Sequence, residues 1–151
     1  MYDGKFVYNN EGLCLFGIMS VLECMKEMSY AKVMLLSPLL FNKEVINSLS
    51  RSTKIRSFEE FRVKNINSVS RFNDMYYNFL PLTINTIVIL EDMNYIVIDK
   101  NSIKLNKVFT CNINLQKIGT RAKKIIKIAP KLANILNEKD EKLYTELGVV
   151  L

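Results

Sequence analysis

The sequence contains no histidine and no tryptophan, and only five glycines, three prolines and three cysteines. Without histidine there is no Ser-His-Asp or Cys-His nucleophile system. The commonest metal ligand and the usual acid/base near neutral pH are missing as well. The few glycines form neither a G-x-x-x-x-G-K-[ST] loop nor G-x-G-x-x-G, so nothing in the chain is built to cradle a nucleotide phosphate. G-x-S-x-G is also absent. Cys14, Cys24 and Cys111 are odd in number and show no C-x-x-C spacing, which fits a reduced, cytoplasmic chain. Cys14 and Cys24 fall in an apolar helical stretch and read as small core residues. The opening MYDGKFVYNN lacks the basic and apolar regions of a secretory signal. No apolar run reaches about 18 residues without a charge, so no membrane span is expected. A carboxylate-only metal site could draw on Glu91, Asp92 and Asp99, but these sit at a helix end and in a turn, where acids are ordinary. By elimination the chain reads as a binding or scaffolding protein that needs no cofactor, not as an enzyme.

What is present is organised around Leu115–Lys139, LQKIGTRAKKIIKIAPKLANILNEK. Apolar residues recur at Leu115, Ile118, Ala122, Ile125, Ala129, Leu132 and Leu136, a three-four spacing that makes one stripe on a helix. Lys117, Arg121, Lys123, Lys124, Lys127, Lys131 and Lys139 fall in the same stretch with a single acid, Glu138. The whole chain has 21 basic and 15 acidic residues, so this stretch carries the entire excess of +6. Pro130 predicts a kink, or two helices meeting at Ala129–Lys131. A basic amphipathic helix can be a solvated face over a core, or a surface for DNA or an acidic partner. On the second reading the contact residues are Lys117, Arg121, Lys123, Lys124, Lys127 and Lys131.

The 151 residues are expected to form one domain, residues 1–151. Residues 1–9 read as a loose arm whose Phe6 and Tyr8 could dock elsewhere. Glu11–Met28 is apolar around most of a helical circumference, with Glu23, Lys26 and Glu27 marking a polar edge. A helix apolar nearly all round is buried, so this is the expected central helix. Tyr30–Phe41 reads as a short helix broken at Ser37–Pro38, with another helix from Lys43 to Leu49. Ser50–Arg56 is a polar, basic loop. Ser57-Phe58-Glu59-Glu60 has the capping-box pattern and starts a helix at Phe58. Adjacent helical residues point about 100° apart, so Glu59 and Glu60 read as capping and solvated acids, not a catalytic pair.

Ile66–Asn78 reads as a helix that stops at Leu80–Pro81, with Thr83 capping a second helix through Met93. Tyr95–Ile98 and Ser102–Leu105 alternate around the polar turn Asp99-Lys100-Asn101, a β-hairpin signal. Helix, turn, helix and hairpin is the order of a winged helix-turn-helix, here over about residues 57–106. Base reading would require Arg, Lys, Asn or Gln on the second helix. That helix, LTINTIVILEDMNY, has no Lys or Arg and offers only Asn85 and Asn94. The unit therefore reads as structural or protein-docking, while Lys100, Lys104 and Lys107 in the wing keep a DNA-binding regulator as the alternative. A last helix, capped by Asp140, should end at Gly148. Leu147, Val149, Val150 and Leu151 then form an apolar end suited to docking a partner. The expected fold class is mainly α (α+β): a helical domain with a winged-helix-like unit, one small β-hairpin and basic amphipathic helices over about residues 115–147.

Three blocks together resemble a known family. An apolar opening helix follows Asn10-Glu11. LLSPLLFNKEVINSLSRST, Leu35 to Thr53, follows it, and LYTELGV, Leu143 to Val149, closes the chain. FLPLTINTIVILEDMNYIVID lies between the second and third blocks. In this order they resemble the middle-component proteins of bacterial ABC-ATPase three-component systems, a group that includes the small third subunit of Lamassu defence complexes. The resemblance implies a non-catalytic adaptor between an SMC-like ABC ATPase and an effector, often a nuclease, in antiphage or antiplasmid defence. It carries no catalytic residues.

Overall fold

In a computed structural model, the backbone is described for residues 4–51, 54–108, 114 and 116–151, and side chains over the same ranges from residue 10. The elements are α1 (Gly4–Met25), β1 (Glu27–Ser29), α2 (Tyr30–Leu40), α3 (Lys43–Arg51), α4 (Phe58–Lys64) and α5 (Ile66–Val69). Then follow α6 (Phe72–Asp92), β2 (Ile96–Asp99), β3 (Ser102–Leu105), α7 (Thr120–Ile135) and α8 (Asp140–Leu147). The fold is mainly α with one small antiparallel sheet, as the sequence suggests. Helix α1 is central and packs against α7, α6 and α2. Cys14, Ile18, Met19, Val21 and Leu22 along it are fully buried. Helix formation already begins at Gly4, so the loose-arm reading of residues 1–9 does not hold for the backbone from there on. The side chains of Phe6 and Tyr8, and Cys111, lie outside the described residues.

All three prolines lie inside helices: α2 and α6 run on through Ser37–Pro38 and Leu80–Pro81, and α7 is one helix, not two, through Ala129–Lys131. A helix-interior proline costs about 3 kcal/mol because it removes a backbone bond and crowds the preceding turn. Burial on both sides of the proline outweighs this. In α2 every residue from Val33 to Leu40 is buried. In α6, Tyr76 precedes Pro81 in the core and Thr83, Thr86, Ile87 and Leu90 follow it. In α7 the buried run continues from Ile128 and Ala129 to Leu132, Ala133 and Ile135. Pro81 and Pro130 are themselves exposed, so water can satisfy a carbonyl released on that side.

The continuous α6 removes the expected turn of the winged helix-turn-helix. Thr83, expected as a cap, is buried mid-helix: its hydroxyl lies 2.6 Å from the Ser37 hydroxyl and 3.0 Å from the Phe79 carbonyl. Ser37 in turn meets the Cys14 thiol at 3.1 Å. This polar cluster ties α1, α2 and α6 together inside an apolar core, where burial pushes the Cys14 thiol up. Close approach of α1 and α2 is set by Gly17, whose added Cβ would stand 2.3 Å from Leu40 Cδ1.

The β2–β3 hairpin forms where expected, with Ile96 opposite Leu105 and Asp99 opposite Ser102. Lys100 takes the left-handed conformation, φ 53°, that the tight turn requires. The sheet gains a third strand that the sequence does not announce, β1, paired antiparallel to β3. The sequence pattern predicts that Glu27 and Met28 continue the first helix. Instead Lys26 turns left-handed, φ 69°, and its carbonyl accepts the Leu105 amide at 2.9 Å. Three residues are too few to carry a period-two signal. Ser29 ends the strand and caps α2, accepting the Lys32 amide at 3.1 Å.

Caps at the other helices follow the sequence more closely. Asn42 Oδ1 accepts the amides of Glu44 and Val45 and starts α3. Ser57 accepts the Glu60 amide at 3.2 Å and starts α4 at Phe58. Gly148, φ 71°, stops α8. Asp140 is the first residue of α8, not its cap, a position that Lys139 holds without a side-chain bond. Helix α8 is bound to α4 through Lys142 with Glu59 and through Arg62 with Glu146, 2.6 Å. The Tyr144 hydroxyl donates to the Ala31 carbonyl at 2.7 Å, which fixes α8 to α2.

Candidate functional site

The apolar stripe read in the C-terminal basic stretch is the inner face of α7. Ala122, Ile125, Ala129, Leu132 and Leu136 are buried and Ile118 is half-buried, while Leu115 lies outside the described residues. The opposite side carries the lysines. At about 100° per residue, Lys123, Lys124, Lys127 and Lys131 share an arc roughly 100° wide. Over that arc the helix rises about 12 Å. Lys123, Lys124 and Lys127 are exposed. The carboxylates of Asp99, Asp140, Glu59, Glu60, Glu138 and Glu146 form ion pairs with Lys104, Lys32, Lys142, Lys64 and Arg62.

The other three predicted contact residues stand apart from Lys123, Lys124 and Lys127. Arg121 is turned toward α2, its guanidinium 5.8 Å from the Phe41 ring centre, and Phe41 stacks on Phe79 at 5.1 Å. That cation–π arrangement positions the start of α7. Lys131 is half-buried and donates to the Leu49 carbonyl at 2.5 Å, so it caps the end of α3. Lys117 is exposed in the turn before α7. The structure adds two cations that sequence order separates from the helix. Lys54 and Arg56 line one shallow depression with Ile55, Pro130, Lys131 and Asn134. Asn134 Nδ2 donates to the Ile55 carbonyl at 3.1 Å and holds the two segments together. The polar, basic composition of residues 50–56 is a partial signal, but Ser50 and Arg51 belong to α3, and only packing brings Lys54 and Arg56 beside α7.

The apolar end predicted as a docking segment divides. Leu147 is fully buried and belongs to the core, which corrects its assignment as a docking residue. A residue one helical turn beyond Leu143 falls on the same inner face, and both are closed off from solvent. Val149 is half-buried against the core, while Val150 and Leu151 are exposed, at 72% and 87%. The segment is pinned along α6. The Val150 amide donates to Asn73 Oδ1 at 2.9 Å, and the Tyr77 hydroxyl donates to the Val150 carbonyl.

The other chemical candidates resolve into structural roles. Glu59 accepts from Lys142, and Glu60 accepts from Lys64 and from the Arg56 amide. These bonds hold both carboxyls below the ordinary carboxylate range. Asp99 pairs with Lys104 at 3.1 Å. Cys24 is exposed, in contrast to the core position expected for it. Among the described residues, no group of three or more Cys, Asp or Glu side chains could hold a metal ion. No helix among them is long and apolar enough to cross a membrane.

The blocks that carry the family resemblance are core elements. Leu35, Leu36, Leu39 and Leu40 bury α2, Val45 and Leu49 bury α3, and Leu143 and Leu147 bury α8. They therefore report a shared fold before they report any surface. No curated protein and no solved structure matches the chain. The sequence model of the ABC-three component (ABC-3C) system Middle Component 3 family matches residues 22–151, from the end of α1 through every later element, and the chain belongs to that family of middle components.

Proposed function

We propose that this chain is a non-catalytic adaptor that couples an SMC-like ABC ATPase to a nuclease-type effector in a cytoplasmic, Lamassu-like antiphage or antiplasmid complex. Membership of the middle-component family carries this reading, since a middle component works with the other components of its system. The chemistry supports it: without histidine or a phosphate-cradling loop, a hydrolytic step would fall to a partner. A coupling subunit shifts an effector only if it contacts the ATPase's two states differently. The test is purification of the tagged chain from its native operon, with mass spectrometry of what accompanies it. Recovery of an ABC ATPase and a nuclease-like protein is the expected result. Recovery of the chain alone would overturn the reading.

A second reading concerns the lysine face, and the exposed row Lys123, Lys124 and Lys127 favours it. This row, continued along the helix toward Lys131 with Lys54 and Arg56 beside it, suits the phosphate backbone of DNA engaged within the assembled complex. Contacts of this kind carry no base specificity and weaken steeply with salt. The regulator alternative, with a recognition helix beginning at Thr83, loses its structural basis because Thr83 is buried inside α6.

A further inference from the structure

Helix α6 has an exposed outer face of a definite pattern. Tyr77, Pro81, Ile84 and Val88 are exposed and succeed one another at intervals of four, three and four residues. Ile84 is 41% and Val88 50% exposed, although both are large aliphatic side chains. This is the spacing of a coiled-coil seam, in which each apolar residue seats among four residues of a facing helix. The exposed Val150 and Leu151 extend the apolar surface at the Tyr77 end, where that segment is hydrogen-bonded to Asn73 and Tyr77. Polar residues frame the seam. Asp74 stands at one end, Glu91 and Asp92 at the other, Asn78 and Asn85 lie alongside, and α6 contains no Lys or Arg.

We infer that this face receives an α-helix of a partner protein, one with apolar residues at heptad spacing and with Lys or Arg at its flanking positions. The inference deepens the coupling reading and rests on it for the existence of a protein partner. Charge decides between occupants. A second copy of this chain pairing α6 on α6 would set Asp74 against Glu91 and Asp92 when antiparallel, or each acid against its equivalent when parallel. Both arrangements juxtapose like charges beside the seam, which selects against self-pairing. A basic-flanked helix meets the acids at both ends. Asp74 and Glu91 are 17 residues apart on the helix, about 26 Å, so the occupant needs about five turns. The lysine face of α7 cannot serve from a second copy, because its outer row has charges where the seam needs apolar side chains.

The experiment uses the full chain and two fluorescent 28-residue heptad peptides with Leu at the seam positions, one with Lys and one with Glu at the flanking positions. Anisotropy titration should show the Lys peptide binding at least tenfold tighter than the Glu peptide. The double variant Ile84→Asp/Val88→Asp should lose the Lys peptide despite gaining negative charge, which separates seam packing from simple attraction. Circular dichroism confirms its fold, and Asn85→Lys is the second variant, expected to narrow the preference between the peptides. Equal binding of the two peptides, binding of neither, or full binding to the double variant would overturn the inference. Co-purification from the native operon then separates the two readings. If wild-type chain assembles and Ile84→Asp/Val88→Asp assembles equally well, the seam inference fails and the adaptor reading stands. If wild-type chain brings down no other component, the adaptor reading fails.

Discussion

Helices α6 and α7 both bury one side against α1 and leave the other to solvent, yet their outer faces differ in kind. Helix α7 presents a row of lysines and has no acidic residue, whereas α6 presents an apolar seam with acids at its ends and no base. A lysine row acts over roughly a Debye length, about 8–10 Å at ordinary salt, tolerates poor fit and fades as salt rises. An apolar seam acts only at contact, demands complementary shape and changes little with salt. One molecule thus carries a long-range and a short-range surface on two helices that share a core. That combination suits a subunit that must engage two unlike partners.

The largest effect should come from the inner faces, where the two helices are alike. Ile87→Ala in α6 and Ile128→Ala in α7, both fully buried, should each destabilise the fold by about 2–5 kcal/mol in urea titrations. The outer-face changes Val88→Ala and Lys127→Ala should each stay within about 0.5 kcal/mol. Outer-face costs matching the inner ones would mean that those faces are structural.

Next in size is the electrostatic test. For duplex DNA and the assembled complex, Lys123→Glu/Lys124→Glu/Lys127→Glu should weaken binding and reduce the log-affinity against log-salt slope by about 3. Assembly should persist, and Ile84→Asp/Val88→Asp should leave the salt slope unchanged. An unaltered slope in the lysine variant would assign the row to solvent.

Thr83→Val tests the polar cluster that joins α6 to α2. It strips a partner from the buried Ser37 hydroxyl and should cost about 1–3 kcal/mol. No measurable loss would show that the cluster rearranges freely.

A smaller effect is expected with pH. The Glu59 carboxyl is held low chiefly by the Lys142 hydrogen bond, and that of Glu60 chiefly by Lys64. A carboxyl with a lower pKa in the folded chain stabilises the fold above its unfolded pKa, and this is lost as pH falls through the folded value. Thermal stability should therefore decline on acidification from about pH 5 to about pH 3, and Lys142→Met should flatten the decline. An identical pH profile in the variant would show that the Lys142–Glu59 pair does not set the acid response. The smallest change is Tyr77→Phe, which deletes the bond to Val150. About 0.5 kcal/mol is expected, with faster proteolysis beyond Gly148 as the more sensitive readout.

Local devices and the distribution of charge were legible along the chain. The Ser57 cap, the Gly148 stop, the β2–β3 hairpin and the two-sided character of α7 depend on neighbours within a few residues, and such signals survive without the fold. The core blocks around Leu35–Leu40 and Leu143–Leu147 were legible for the same reason, and with them the family. The rest came from long-range packing of the fold. It kept α2, α6 and α7 continuous through Pro38, Pro81 and Pro130, because burial of the flanking turns outweighs the local cost of a proline. It paired β1 with β3, residues far apart in the chain, and it drew Lys54 and Arg56 beside Lys131. It also sealed Leu147 inside while leaving Val150 and Leu151 outside along α6. An apolar residue at helical spacing states only that it avoids water. Whether its cover comes from this chain or from a partner depends on what the rest of the fold packs against it.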